Sequence, residues 1–247
     1  MTDPTTATTA IARDESLAVQ VAWACRILAS QGYEDLTLGH VSVLTSDGVM
    51  YIKRKGVALS EVTPDDVLVF PVQADLADAP RDMHLEAVLH TEVYKRRPDV
   101  RCVIHGHPMY ATAFGATDAK LETLTHDAVL FTDRISTYEG VPDLITGDAQ
   151  GKEVAEALGH GTVILLRNHG VLVAERDAPW AVLTAVLLEK AAQLQFVASA
   201  YGPLRPIPDE LVQSIHERKY QSGFPDEYWH AWIRALRRSG QDEGMPA

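Results

Sequence analysis

Apolar positions along the chain switch between helical spacing and short strand-like runs. Between residues 15 and 31, Leu17, Val21, Ala24 and Leu28 recur every three to four residues, which is the spacing of one helix face. Gly32 follows as a natural stop. Residues 41–44 and 49–52 are short apolar runs on either side of Ser46-Asp47-Gly48, and Asp-Gly in that position signals a hairpin. Residues 67–70 predict another strand, closed by Pro71. Residues 82–97 predict a helix ended by Pro98, and residues 100–105 predict the strand it leads into. Residues 148–158 predict a short helix with Asp148 as N-cap and Gly159 just past its end. Strands are expected at 162–167 and 171–174, flanking Asn168-His169-Gly170. Residues 179–200 are apolar nearly all round, which predicts a buried helix. A last amphipathic helix is expected near 228–238.

Strands and helices mixed in this way point to a layered α/β sandwich. No internal repeat or linker interrupts it. The expected organisation is a flexible Thr/Ala-rich tail at 1–13, a single domain at 14–238 and a polar tail at 239–247.

Composition narrows the classes. The chain has 247 residues, 46% hydrophobic and 23% charged, which is ordinary for a globular protein. No run reads as the roughly 18–20 apolar residues of a membrane span. The formal net charge of −12 repels nucleic acid and anionic lipid, so neither is expected as a partner. Lys95-Arg96-Arg97 reads as a solvated face. Only Cys25 and Cys102 are present, which excludes a disulfide scaffold and a cysteine-rich metal site. The N-terminus lacks a basic start followed by an apolar stretch. A cytoplasmic location is the expectation.

The ten histidines change the picture most. In Val103-Ile104-His105-Gly106-His107-Pro108, the two histidines are two apart, so on a strand they point to one side. Both can then reach one divalent ion, for which imidazole is a strong ligand. A third ligand is needed, and His169 is the best candidate, with a plain turn residue as the alternative. Glu86, His90 and Tyr94 recur every four residues on the predicted helix at 82–97. Glu86 is read as a metal ligand, a general base or a surface carboxylate.

Glu86, with His90 and Tyr94 after it, then Arg97-Pro98-Asp99-Val100 and His105-Gly106-His107-Pro108, resembles the class II aldolase/adducin family. Asn168-His169-Gly170 matches a later motif of that family. Leu38-Gly39-His40-Val41-Ser42 and Val62-Thr63-Pro64-Asp65-Asp66-Val67 fit its first strands. The resemblance covers most of residues 15–200. It implies a three-layer α/β/α sandwich around a largely antiparallel central sheet. It implies one divalent ion per subunit on His105, His107 and His169, zinc first, with manganese, cobalt or iron accepted by the same ligands. It implies Glu86 as the catalytic acidic residue. It also implies a homo-oligomer, expected as a tetramer, in which Tyr228 and its neighbours reach a substrate site or simply pack.

The family's sugar-phosphate aldolases carry small hydroxyl residues at their phosphate pocket, and most of these are missing here. His40 and the basic run Lys53-Arg54-Lys55, with Arg81 and His84 nearby, stand in that region, and Ser42 is a further candidate substrate contact. Cationic groups there suit a small-molecule substrate with carboxylate or phenolic oxygens. Gly39-His40-Val41-Ser42 resembles the branch that decarboxylates hydroxylated aromatic or pyridine carboxylates. The expectation is therefore a metal-dependent carbon–carbon lyase acting through a metal-stabilised enolate or phenolate, with Glu86 and His40 as proton carriers. An aldolase or epimerase acting on a small hydroxy-carbonyl or sugar phosphate is the second reading. A non-enzymatic adducin-like assembly module is the third.

Overall fold

The computed structural model describes residues 12–33 and 35–246. Residues 1–11 of the expected N-terminal tail lie outside the described residues. Helix α1 (Glu15–Leu28) starts where the Asp14 carboxylate accepts from the Ser16 amide at 2.9 Å, a side-chain N-cap. A further turn closes at Gly32, whose φ of 94° is left-handed. Strands β1 (His40–Leu44) and β2 (Val49–Lys53) form the expected hairpin, and β3 (Val67–Pro71) pairs with β2.

Helix α2 (Ala87–Arg96) begins five residues later than expected. Residues 80–86 instead form successive turns, with the Met83 amide bonded to Pro80 O and the Ala87 amide to His84 O. Glu86 has non-helical φ and ψ of −94° and 22°. It therefore does not share a helix face with His90 and Tyr94, which the four-residue spacing had implied.

After α2 come β4 (Cys102–Gly106), α3 (Met109–Gly115), β5 (Ile135–Tyr138) and α4 (Asp148–Leu158). Gly147 occupies the N-cap position expected for Asp148, which starts the helix instead. β6 (Val163–Leu166) and β7 (Gly170–Glu175) follow, then α5 (Ala178–Tyr201), α6 (Asp209–Lys219) and α7 (Phe224–Arg238).

The seven strands form one sheet in the order β3-β2-β1-β4-β7-β6-β5. Every pairing is antiparallel except β5 with β6. Side chains alternate across it, as the two-residue period requires. Val41, Val43, Cys102, Ile104, Val171 and Val173 face a layer built on α1 and α5. Leu44, Met50, Val103, Leu172 and Ala174 face α2 and α4. The result is the three-layer sandwich with a largely antiparallel sheet.

Helix α5 is long and apolar enough to cross a membrane by composition. Its first half is a core helix: Ala181, Val182, Leu183 and Ala185 are fully buried. Its second half exposes Leu194, Phe196, Val197 and Tyr201. Past α7 the chain returns to α1, where the Arg26 guanidinium donates to the carbonyls of Gln241 at 2.8 Å and Glu243 at 2.7 Å.

Candidate metal centre and cleft

The central strands converge on a cluster of imidazoles. His105 lies on β4 between β1 and β7, paired with His40 on one side and Leu172 on the other. His107 follows just past the strand end, and His169 lies in the turn between β6 and β7. That turn is tight: Asn168 has a φ of 58°. Gly170 cannot carry a side chain, because a Cβ there would meet His107 Cδ2 at 2.6 Å and Gly106 O at 2.7 Å. The glycine lets the His107 ring lie against the turn that holds His169.

The ligand nitrogens of His105, His107 and His169 all lie within 4.8 Å of one another. Glu86 sits beside them. Its Oε2 is 3.5 Å from His105 Nε2 and its Oε1 is 3.5 Å from His169 Nε2. A second hold on the carboxylate comes from the Ile145 amide, which donates to Oε1 at 2.9 Å.

Hydrogen bonds fix which nitrogen faces inward. His105 Nδ1 lies 3.0 Å from the Val171 carbonyl. A carbonyl only accepts, so Nδ1 carries the proton and Nε2 keeps a lone pair. That Nε2 is buried with no hydrogen-bond partner, a costly state for a polar atom. His107 Nδ1 is bonded to Asp35 Oδ2 at 2.5 Å, the carboxylate–imidazole pairing that orients metal-bound histidines. The donor set therefore fits a divalent ion. Nitrogen and oxygen atoms bonded to zinc at about 2.0–2.1 Å stand roughly 3.4 Å apart in a tetrahedral shell, close to the 3.5 Å separations at Glu86.

The cluster floors a cleft of about 560 Å³. Its walls include His40, Lys55, His84, Asn168 and Thr37, and Leu38, Leu85 and Leu144 stand at its rim. These leucines are 59%, 65% and 52% exposed.

Charge inside the cleft is set by burial. Burial pushes the Glu86 carboxyl up, but the His105 and His169 imidazoles beside it and the Ile145 amide that donates to it outweigh burial and hold the group below the usual carboxylate range. Burial, then the neighbouring His84, His90 and His105, push His40 well below an ordinary histidine. At 1% exposure, His40 is thereby held in its neutral form. His84 is lowered to about 3 by burial and then by the Lys53 ammonium. Burial also lowers His90, Lys53 and His107.

Of the residues expected to touch substrate, His40 and His84 line the cleft. Ser42 does not. It is fully buried, and its hydroxyl is bonded to His90 Nδ1 at 2.6 Å and the Tyr94 hydroxyl at 2.7 Å. Lys53 is also fully buried, its Nζ donating to Thr37 O at 3.1 Å and 3.3 Å from His84 Nε2. Arg54 is turned to Asp66, 2.9 Å away. Arg81 lies in an adjoining groove with Lys55 and His84. Tyr228 is on α7, in the opposite layer, between Phe224 and Trp232. The cation on the cleft wall is Lys55, third in the Lys53-Arg54-Lys55 cluster. Asp35, Thr37 and the loop at 142–144 carry no periodic signal and were missed, and Asn168 was legible only as part of the motif around His169.

Residues 19–196 match the family described as the class II aldolase and adducin N-terminal domain, and the chain belongs to that family. A 4-hydroxy-3-prenylphenylpyruvate oxygenase/4-hydroxy-3-prenylbenzoate synthase of Streptomyces roseochromogenus subsp. oscitans is 32% identical over 156 residues. The match spans 62% of this chain and 56% of that protein, little more than half its length. The 3,4-dihydroxyphthalate decarboxylase of Arthrobacter keyseri is 28% identical, over 79% of this chain and 84% of its own. An L-fuculose phosphate aldolase of Methanococcus maripaludis is also 28% identical, over 72% and 94%. Among solved structures, an aldolase II superfamily protein from Pseudomonas syringae superposes with a TM-score of 0.80 at 25% identity, covering 92% of this chain and 94% of that one. The L-fuculose 1-phosphate aldolase from Glaciozyma antarctica PI12 shares the fold, with a TM-score of 0.81 at 22% identity over 99% and 97%.

Proposed function

We propose that this protein is a metal-dependent carbon–carbon lyase that decarboxylates a hydroxylated aromatic or pyridine carboxylate. The observation that carries this reading is the pairing of the His105, His107, His169 and Glu86 cluster with a cleft walled by Lys55 and His84 and rimmed by leucines. The three histidines would hold the ion, zinc being the first choice for this donor set, with Glu86 beside it. A divalent ion there supplies Lewis acidity for the negative charge that grows on a substrate oxygen when a carbon–carbon bond breaks.

The chain's own groups divide the remaining work. The Lys55 ammonium pairs with a carboxylate of the substrate. Leu38, Leu85 and Leu144 pack on the faces of a flat ring and keep water from it, a role that a polyhydroxylated sugar does not call for. His40, neutral and at the cleft wall, accepts a proton from a ring hydroxyl. Glu86, a carboxylate at rest, takes that proton over and delivers it to the ring carbon that loses carbon dioxide, and a proton from solvent restores the hydroxyl as product leaves. The Arthrobacter decarboxylase among the relatives supports this assignment.

An aldolase or epimerase on a small hydroxy-carbonyl or sugar phosphate is the second reading, favoured by the Methanococcus relative and by the Thr37 hydroxyl at the cleft wall. An assembly module without catalysis fits poorly, because such a module has no need of an unpartnered buried imidazole nitrogen aimed at two other histidines. Assembly into a homo-oligomer, a tetramer by family resemblance, is part of the proposal.

Purified protein loaded with zinc, manganese or cobalt is to be assayed against dihydroxybenzoates, dihydroxyphthalates and hydroxypyridine carboxylates, with ketose 1-phosphates alongside. Carbon dioxide release from an aromatic acid supports the first reading. Cleavage of a ketose phosphate with no carbon dioxide from any aromatic acid moves the assignment to the aldolase reading.

A further inference from the structure

A row of four buried polar side chains runs inward from the cleft wall, and only the first of them, His40, takes part directly in the proposed chemistry. His40 Nδ1 is 2.7 Å from His90 Nε2. His90 Nδ1 is 2.6 Å from Ser42 Oγ, and Ser42 Oγ is 2.7 Å from the Tyr94 hydroxyl. The Tyr94 hydroxyl ends the row, 3.0 Å from the carbonyl oxygen of Ser42. None of the four is more than 5% exposed, so water does not compete for these bonds. His90 and Tyr94 are one turn apart on α2, and His40 and Ser42 are two apart on β1, so one helix face meets one sheet face.

The end of the row sets its direction. A carbonyl oxygen only accepts, so the Tyr94 hydroxyl proton points to Ser42 O. The Ser42 hydroxyl then donates to the Tyr94 oxygen, and its own oxygen accepts from His90 Nδ1. Neutral His90 is left with a bare Nε2, which accepts from His40 Nδ1. Neutral His40 is left with a bare Nε2. Every bond in the row is satisfied in this arrangement, and reversing any one of them places two donors or two acceptors face to face.

We infer that Tyr94, acting through Ser42 and His90, fixes the tautomer of His40 so that it presents a lone pair, and not an N–H, to the cleft. Tyr94, Ser42 and His90 are positioning residues; only His40 touches substrate. The inference rests on the proposed role of His40 as a proton acceptor and sharpens it: a ring hydroxyl can donate to His40, whereas a substrate group that only accepts gains nothing there. A ring nitrogen of His40 lies within 4.8 Å of Glu86 and His105 ligand atoms, so the accepted proton comes from a group held beside the metal cluster.

The consequence of removing one hydroxyl is specific. In Tyr94→Phe the Ser42 hydroxyl loses its acceptor and turns to His90 Nδ1. His90 then carries its proton on Nε2, and His40 accepts at Nδ1 and carries its own proton on Nε2. One oxygen atom lost at Tyr94 thus inverts two imidazoles.

The test is two-bond proton–nitrogen correlation on zinc-loaded, full-length protein labelled with nitrogen-15 in its histidines, at pH 7. The wild type is expected to show His40 protonated on Nδ1 alone, and Tyr94→Phe to show it protonated on Nε2. Turnover in Tyr94→Phe is expected to fall roughly tenfold to a hundredfold through kcat, with KM and zinc content held. A wild-type His40 with its proton on Nε2 overturns the inference, and this measurement needs no variant to fold. An unchanged His40 tautomer in a folded Tyr94→Phe protein overturns it equally. The spectra are read without substrate, so their outcome stands apart from whether any aromatic acid is decarboxylated.

Discussion

The Asp35 carboxylate and the His107 imidazole share a hydrogen bond of 2.5 Å between Oδ2 and Nδ1. Asp35 belongs to the loop after α1, and His107 to the end of β4, so the bond ties the α1 layer to the metal cluster. It holds the proton on Nδ1, turns Nε2 inward and makes that nitrogen more basic. Partners of this kind are worth about 10- to 100-fold in metal affinity. Asp35→Asn, which keeps the size and loses the charge, is expected to raise the zinc dissociation constant by that factor. Competition against a fluorescent chelator measures it, and an unchanged constant would remove Asp35 from the site.

Glu86 is held by the Ile145 amide on one oxygen and faces two imidazoles. Glu86→Gln preserves the shape and the Ile145 bond but removes the carboxylate that takes up and gives back a proton. Turnover is expected to fall by roughly a hundredfold or more, while the three histidines keep most of the zinc. Steady-state kinetics with metal analysis on the same sample decides between roles. Full turnover would take Glu86 out of the mechanism, and loss of zinc would make it chiefly a ligand.

The buried histidines make stability depend on pH. His84 has its pKa lowered to about 3 by burial and by the nearby Lys53 ammonium, against 6.5 for a free side chain. Above pH 6.5 neither the folded nor the unfolded chain binds this proton. Between about 6.5 and 3 the unfolded chain binds it and the folded chain does not, so stability falls as pH falls. From pH 6.5 to 5.5 the loss from this one group comes to about 1 kcal/mol. Urea unfolding of metal-stripped protein is expected to show the fall, and His84→Gln to remove about that much of it. Parallel pH profiles for the two proteins would contradict the assignment.

How much of this was legible beforehand varies with the physical signal. The two-residue period placed His105 and His107 on one side of a strand, because alternation is a local property of extended chain. The sheet's core strands were legible as continuous apolar runs. Helix α3 is only seven residues long, α6 buries only Val212, and β5 is a half-exposed edge strand; such elements leave almost no pattern. Glu86 was found as a residue but placed on the wrong element. Its spacing with His90 and Tyr94 fits a helix, yet the chain turns at residues 80–86 to aim Glu86 and His84 into the cleft. Ser42 was read as a substrate contact because it belongs to the Gly39-His40-Val41-Ser42 motif. What occupies it, His90 and Tyr94, comes from about fifty residues away, beyond the reach of local pattern. Asp35 lies in a loop and is identified only by the atom it meets.

The two halves of α5 bear on assembly. The first half is fully enclosed by the sheet and α1. The second half leaves Phe196 at 66% and Tyr201 at 89% exposure, with Leu194 and Val197 beside them. The Phe196 ring lies 5.9 Å from that of Tyr110 on α3, whose neighbour Met109 is 74% exposed. So many large apolar side chains exposed on one helix half and its neighbour are unusual on a chain that stays alone in water. Met109 lies two residues from His107, so a second copy seated on it would also stand near the metal cluster. The protein is expected to form a homo-oligomer, a tetramer by family resemblance. Phe196→Glu combined with Val197→Glu should shift it to a smaller species, while a cooperative thermal transition persists because the core half of α5 is untouched. Light scattering at micromolar concentration reads both. A wild-type monomer contradicts assembly outright, and a variant that assembles as well as the wild type moves the contact to another face.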